Sequence, residues 1–191
     1  MSRADTVSDV DHAAARRVCE IVPSSPLRRA CIEAVAELEL AEVWIGAGFV
    51  RNAVFDALFG QSTPHEAVDI DVVYIDEAQV DREFDASLEQ LLNRRIPAAW
   101  QVKNQARMAS HHGRPAYSSI SEAISDFPET ATALAIRLVD GELELLAPYG
   151  LHDLFAGIIR PTPSHRGGAS YLARLLDKRW RERWPALRFA E

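Results

Sequence analysis

The sequence is poor in cysteine: Cys19 and Cys31 are the only two in 191 residues. Both fall in helical patterns and no Cys-x-x-Cys spacing occurs. Buried thiols are therefore expected, rather than a disulfide or a cysteine metal site. No apolar run approaches the ~20 residues that a membrane span needs. The opening stretch MSRADTVSDVDHAAARR has no apolar core of the secretory-signal kind. The expectation is a cytoplasmic protein with no membrane partner. Basic residues are also in short supply, with 21 Lys and Arg against 28 Asp and Glu and a formal net charge of −7. Such a chain binds nucleic acid poorly in a non-specific way, because neutralising phosphates needs surplus Lys and Arg.

What is present is an ordinary globular composition, 48% hydrophobic and 26% charged. The length suits one domain with a full core. Charge is unevenly spread. Residues 157–188 carry eight basic and two acidic side chains, so the rest of the chain is more acidic than the total suggests. That basic segment is expected to dock on the acidic body. The organisation expected is a flexible N-terminus over 1–12, an α/β domain over 13–156, and a helical C-terminal segment over 157–191 packed on it. No repeat or low-complexity stretch interrupts this.

Hydrophobic periodicity gives the elements. Helices are expected over 13–22 and after Ser25-Pro26, a cap followed by proline at the first helical position. A strand over 42–45 leads into a helix over 48–59, with Gly60 suited to its C-terminal cap. Further strands are expected over 68–75 and 98–104, with a helix over 81–93 between them. A short helix near 119–126 precedes a hairpin turning at Asp140-Gly141. The segments GLHDLFAGIIR and ASYLARLLDKRWRERW read as helical, with Trp180 and Trp184 one turn apart in core or interface contacts. Strands interleave with helices, which sets the class as α/β (α+β) with a mixed sheet.

Two stretches carry chemistry. VWIGAGFVRNAVFDALFG (43–60) runs a strand through Gly46-Ala47-Gly48 into a helix. Glycine lets the backbone turn sharply and approach a ligand closely. A helix start presents free N–H groups and a positive dipole end to an anion. Arg51, one turn in, adds a charge. VDIDVVYID (68–76) breaks an apolar strand with Asp69 and Asp71, which alternate onto one face. Adjacent carboxylates repel unless a cation sits between them. A hard ion such as Mg²⁺ or Mn²⁺, shared with the phosphates of a nucleotide, suits that pair.

These motifs resemble the head of the polymerase-beta-like nucleotidyltransferase superfamily, most of all the class with the CCA-adding and poly(A) polymerases. The stretches WQVKNQARM, DFPETATALAIRL and APYGLHDLFAGIIRPTP resemble, more closely still, a bacterial nucleotidyltransferase-like family of uncharacterised function. The resemblance spans about Ile32 to Trp184. It implies a mixed, mostly antiparallel sheet flanked by helices. It also implies that Gly46 and Gly48 bracket a triphosphate-holding turn, that Arg51 supports the phosphates, and that Asp69 and Asp71 are the catalytic metal ligands.

Departures from that pattern are informative. Ala47 separates the two glycines, and Asn52 stands where relatives often have aspartate. Catalytic members place a third carboxylate on the next strand, and AAWQVKNQ offers none. Lys103, Asn104 or Gln105 occupies that neighbourhood, with Lys103 and Asn104 as candidate substrate contacts and Arg107 as a further phosphate-neutralising candidate. Asp76 and Glu129 are candidate substitutes for the missing acid. The base-selecting Arg-Arg-Asp stretch is absent, since NRRIP (93–97) lacks the acid, and this speaks against tRNA end-synthesis. His111-His112 reads as loop histidines. Tyr149, His152 and Asp153 border a helix start packed through Leu151, Leu154 and Phe155. The function expected is metal-dependent transfer of an NMP from an NTP to a hydroxyl on a small-molecule or protein acceptor, in preference to RNA. The alternative is an inactive nucleotide- or metal-binding module serving as sensor or complex partner.

Overall fold

The computed structural model describes residues 9–60, 69–111 and 115–190, and in it α1 (Asp9–Ile21) and α2 (Pro26–Ala36) lead into the sheet. Ser25 caps α2 as its sequence suggests, its side chain accepting from the Arg28 N–H, with Pro26 at the first helical position. Strand β1 (Val43–Gly46) turns through Ala47 into α3 (Gly48–Phe59), which ends at Gly60 in the left-handed conformation. Next come β2 (Ile70–Tyr74), α4 (Arg82–Arg95), β3 (Trp100–Asn104), α5 (Gln105–His111) and α6 (Ile120–Ser125). A hairpin of β4 (Ala135–Val139) and β5 (Glu142–Leu146) turns at Asp140 and Gly141, both at positive φ. Strand Val68 and the histidine pair fall partly outside the description: Val68, His112 and the His111 side chain are not among the described residues.

The five strands lie in the order β3-β2-β1-β4-β5. β1 pairs antiparallel with β2 and β4, and β4 with β5, while β2 and β3 run parallel. The sheet is therefore mixed and mostly antiparallel, flanked by helices as the resemblance implies. Two faces divide the work. On one, Ile45, Ile70, Val72 and Ile136 meet Phe49, Val54 and Phe55 of α3, forming the larger core. On the other, Trp44, Val73 and Ala135 meet Ile120 and Ile124 of α6 in a smaller cluster. α6 covers only part of that second face. Asp71, which alternates with Ile70 and Val72, stands on it half-buried.

The C-terminal part is not continuous helix. A short α7 (His152–Ala156) gives way to β6 (Ile158–Ile159), which pairs parallel with β7 (Arg188–Phe189). The stretch read as one helix breaks at Arg179 (φ 48°) into α8 (Ala169–Asp177) and α9 (Trp180–Arg183). Gly157, at φ 63°, lies so near the Phe59 ring that a Cβ there would sit 2.7 Å from its Cζ. Trp180 and Trp184 are buried, and the Trp184 indole N–H donates to Asp56 of α3 at 3.0 Å. Glu129, fully buried, pairs with Arg174 of α8 at 2.6 Å.

Candidate active site

The turn between β1 and α3 is built without glycine at its tightest point. Ala47 adopts φ 55°, ψ −126°, a region that side chains with a Cβ rarely occupy. Its N–H donates to the Leu134 carbonyl (3.0 Å) and its carbonyl accepts the Arg51 N–H (3.1 Å). The turn is thus held from β4's side and from the first turn of α3. Gly46 pairs with Asp71 across β1 and β2. A Cβ at Gly46 would lie 3.3 Å from the Leu134 carbonyl and 3.5 Å from the Phe127 ring, so its glycine serves close packing.

Beyond this turn lies a chamber of about 450 Å³. Gly48, Asp69, Asp71 and Lys103 line it from the sheet side, while Arg174, Lys178 and Arg183 line it from the C-terminal segment. Asp69 precedes β2 and is exposed, and Asp71 is half-buried. Five basic side chains, Arg51 and Lys103 included, face three aspartates there, since Asp177 joins the pair. Arg174 and Arg183 are paired beyond the lining with Glu129 and Asp56, so the chamber sets cations and carboxylates side by side, an arrangement that suits a metal-bound polyphosphate.

Arg51 is anchored more than it is presented. It is 5% exposed, donates to Thr132 Oγ1 at 2.6 Å and to Asn52 Oδ1 at 2.9 Å, and stacks over Trp180 at 4.8 Å. Burial pushes its guanidinium down to about 10, with Glu129 opposing the fall and Arg174 and Arg183 adding to it. Arg51 thereby ties the start of α3 to the C-terminal wall.

Lys103 Nζ lies 2.9 Å from Asp71 Oδ1 and 2.8 Å from Gln101 Oε1. It reaches Asp71 because β3 runs parallel beside β2 with Gln101 opposite Asp71, and residues two apart share a face. Asn104, next in the strand, points away from the chamber. It is fully buried and donates to the carbonyls of Asp76 and Gln79 while accepting the N–H of Asp76 and Ala106. It fixes the 76–79 loop. Arg107 pairs with buried Asp85 at 2.6 Å. Neither Asp76 nor Glu129 lines the chamber. Tyr149 donates to the Ser125 carbonyl and Asp153 pairs with Arg160, both away from it.

A second cavity, of about 290 Å³, also has Asp71 in its wall. The two share Ala47, Asp71, Lys103, Thr132 and Arg174. Its remaining wall includes Met108, Tyr117, Asp126, Phe127, Pro128 and His165. Met108, in α5, and Asp126, Phe127 and Pro128, after α6, fall within the family-like stretches WQVKNQARM and DFPETATALAIRL, whereas Tyr117 and His165 lie outside them.

The metal donor set is small. Among the described residues no group of three or more His, Cys, Asp or Glu could hold an ion. Two carboxylates nevertheless suffice for one Mg²⁺ whose other positions are filled by phosphate oxygens and water. Asp69 and Asp71 fit that ion, with Lys103 already holding one oxygen of Asp71.

Comparison with known proteins completes the picture. A family model described as nucleotidyltransferase matches residues 33–189. A solved NMR structure, described as revealing a CCA-adding enzyme head domain, is 33% identical. It superposes with a TM-score of 0.81 over 92% of this chain and 95% of that one. A CCA-adding enzyme in complex with CTP matches with a TM-score of 0.60 at 17% identity, over 93% of this chain and 43% of the enzyme. A CCA-adding enzyme with ATP matches with a TM-score of 0.56 at 19% identity. At those identities the likeness is one of fold, and this chain spans under half of those enzymes' length. No curated protein matches the sequence.

Proposed function

Because this chain belongs to the nucleotidyltransferase family, we propose that it transfers an NMP from an NTP to a hydroxyl acceptor, with Asp69 and Asp71 holding Mg²⁺ or Mn²⁺. The observation that carries the reading is the chamber whose wall both aspartates share with Gly48, the start of α3 and the basic side chains of the C-terminal segment. The N–H groups at that helix start and the Arg174, Lys178 and Arg183 side chains would receive the triphosphate. Arg51, locked by Thr132 and Trp180, would set the position of that wall and add its field without direct contact being needed. Lys103 would hold Asp71 in place and neutralise charge at the α-phosphate. When bound, the metal supplies charge neutralisation on the phosphates and support for the departing pyrophosphate. Positioning and electrostatics would supply most of the acceleration.

The experiment is a pyrophosphate-release assay with labelled NTPs and Mg²⁺ or Mn²⁺. Asp69→Asn and Asp71→Asn are expected to lose at least ~100-fold in turnover while melting within a few degrees of the parent. Undiminished turnover in both variants removes the proposal.

One observation favours a second reading. The Lys103 ammonium occupies one Asp71 oxygen, and β3 brings no carboxylate beside it. A site so furnished would bind nucleotide without turning it over, as a sensor or complex partner. NTP binding in a thermal-shift assay, with no pyrophosphate release in the presence of either metal, selects that reading.

A further inference from the structure

We infer that His165 is the general base of the transfer and that the 290 Å³ cavity it lines receives the acceptor, a small hydroxyl-bearing molecule with an apolar body and no phosphate. The inference rests on the nucleotidyltransfer reading above.

The hydrogen-bond network around His165 favours one tautomer. Thr162 is fully buried, and its single hydroxyl proton is donated to the Phe127 carbonyl at 2.7 Å. His165 Nδ1 lies 3.1 Å from the same Thr162 Oγ1. With its proton committed to Phe127, Thr162 accepts at that contact when Nδ1 carries the hydrogen, and this tautomer gives the buried Thr162 oxygen a donor. Ser164 Oγ lies 3.2 Å from Nδ1 as well. That leaves Nε2 as the basic nitrogen of a side chain that lines the cavity. A base oriented by a third, buried group is the arrangement that activates a nucleophile. Thr162 is itself held, since its N–H donates to the Pro128 carbonyl at 3.0 Å and the His165 N–H returns to the Thr162 carbonyl at 2.9 Å.

The location answers a gap in the other chamber. Among the described residues, the other carboxylates lining the two cavities are Asp177 in the chamber and Asp126 in the second cavity, where Asp126 already accepts the Tyr117 hydroxyl, and β3 brings no acid beside Asp71. Asp71 and Lys103 belong to both cavities. An α-phosphorus held at Asp71 would therefore border the His165 cavity, from which an acceptor could attack in line. The acceptor oxygen would bond to that phosphorus as its proton passes to Nε2. The bond to the β-phosphate would break, pyrophosphate leaving with the electron pair, and the imidazolium would then lose its proton to water.

The cavity's chemistry sets the acceptor class. Phe127, Pro128 and Met108 give it an apolar wall, and Tyr117, donating to Asp126 at 2.9 Å, gives it a polar edge. Asp71 and Asp126 balance Lys103 and Arg174, so no cationic surplus is left for a phosphate-bearing polymer.

The test combines kinetics with spectroscopy. Purified protein is given labelled NTP, Mn²⁺ and either benzyl alcohol or an oligoribonucleotide with a free 3′-hydroxyl. Transfer to benzyl alcohol is expected, falling about 100-fold in kcat in His165→Ala, with KM for the NTP little changed and part of the rate restored by added imidazole. Thr162→Val is expected to lower kcat about tenfold, and Thr162→Ser to stay near the parent. In the metal-free protein, ¹⁵N imidazole spectra should show Nδ1 protonated and Nε2 bare, and this preference should weaken in Thr162→Val. A protonated Nε2, or a His165→Ala variant with the parent's kcat, overturns the inference alone. Labelling of the oligoribonucleotide in preference to benzyl alcohol overturns the acceptor class. Absence of any pyrophosphate release by the parent overturns the nucleotidyltransfer reading, and the base assignment with it.

Discussion

Lys103 and Asp71 form an ion pair 2.9 Å long across neighbouring parallel strands, at the point where both cavities meet. The ammonium is a monovalent cation built into a site that two aspartates would otherwise offer wholly to a divalent one. The pair is about a third exposed on the lysine side, and such pairs contribute up to about 1 kcal/mol.

Competition follows from that geometry. Lys103→Met should free Asp71 and tighten Mn²⁺ binding by up to about fivefold, the equivalent of that pair's worth. Titration calorimetry on the nucleotide-free protein reads it. Weaker binding in the variant would mean that Lys103 helps hold the metal site open instead of competing for it.

Ala47 sits in a backbone region that costs ~1–3 kcal/mol for a residue with a Cβ. Ala47→Gly removes that strain and gives back part of it as unfolded-state freedom. A net gain of about 1 kcal/mol is expected, a rise of roughly 2–4 °C in Tm for a chain of this size. A lower Tm would show that the methyl group's packing outweighs the strain.

Glu129 is fully buried against Arg174, and its charge also opposes the desolvation of Arg51. Glu129→Gln should leave Arg174 without its counter-charge and cost ~3–5 kcal/mol. Urea denaturation measures that cost. NTP affinity, read separately below the transition, should fall as α8 loses its tie to the 129–132 loop. A stability loss under 1 kcal/mol would refute the account.

Burial pushes the Cys31 thiol up to about 11 against the usual 9, an effect that nearby Arg28 reduces. The folded state keeps this proton at pH values where the unfolded chain has lost it. The stabilisation is whole below pH 9 and drains away as pH rises towards 11. Cys31, fully buried, should resist a thiol reagent at pH 8 until the protein unfolds, while half-buried Cys19 reacts first. Equal labelling rates for the two would contradict the burial.

The sequence displayed the parts of the site that are local. Gly46-Ala47-Gly48 with its helix, and Asp69 with Asp71, are close in the chain, and strand alternation foretells a shared face. Asn104 turns away from the chamber for a reason visible in β3: a residue adjacent to Lys103 in a strand faces the other way. The sequence suggests that Arg51 supports the phosphates, and it does line the chamber, but it does not show that Thr132 and Trp180, 81 and 129 positions away, hold its guanidinium. Thr162 lies in the family-like stretch APYGLHDLFAGIIRPTP, but nothing local in it, or around His165 and Arg174, marks a site. Their meaning arises only when the chain after β6 folds back over the partly open face of the sheet. The break at Arg179 was hidden for a similar reason, since helical periodicity runs through it and only β7 pairing with β6 rewards the turn.

α3 begins at the Gly46-Ala47-Gly48 turn, and two turns later Asp56 receives the Trp184 indole N–H and an ion pair from Arg183. One rigid rod therefore spans both jaws of the cleft. Its length works as a gauge, so that inserting or deleting a single residue in α3 would reset the gap between the carboxylates and the arginines facing them.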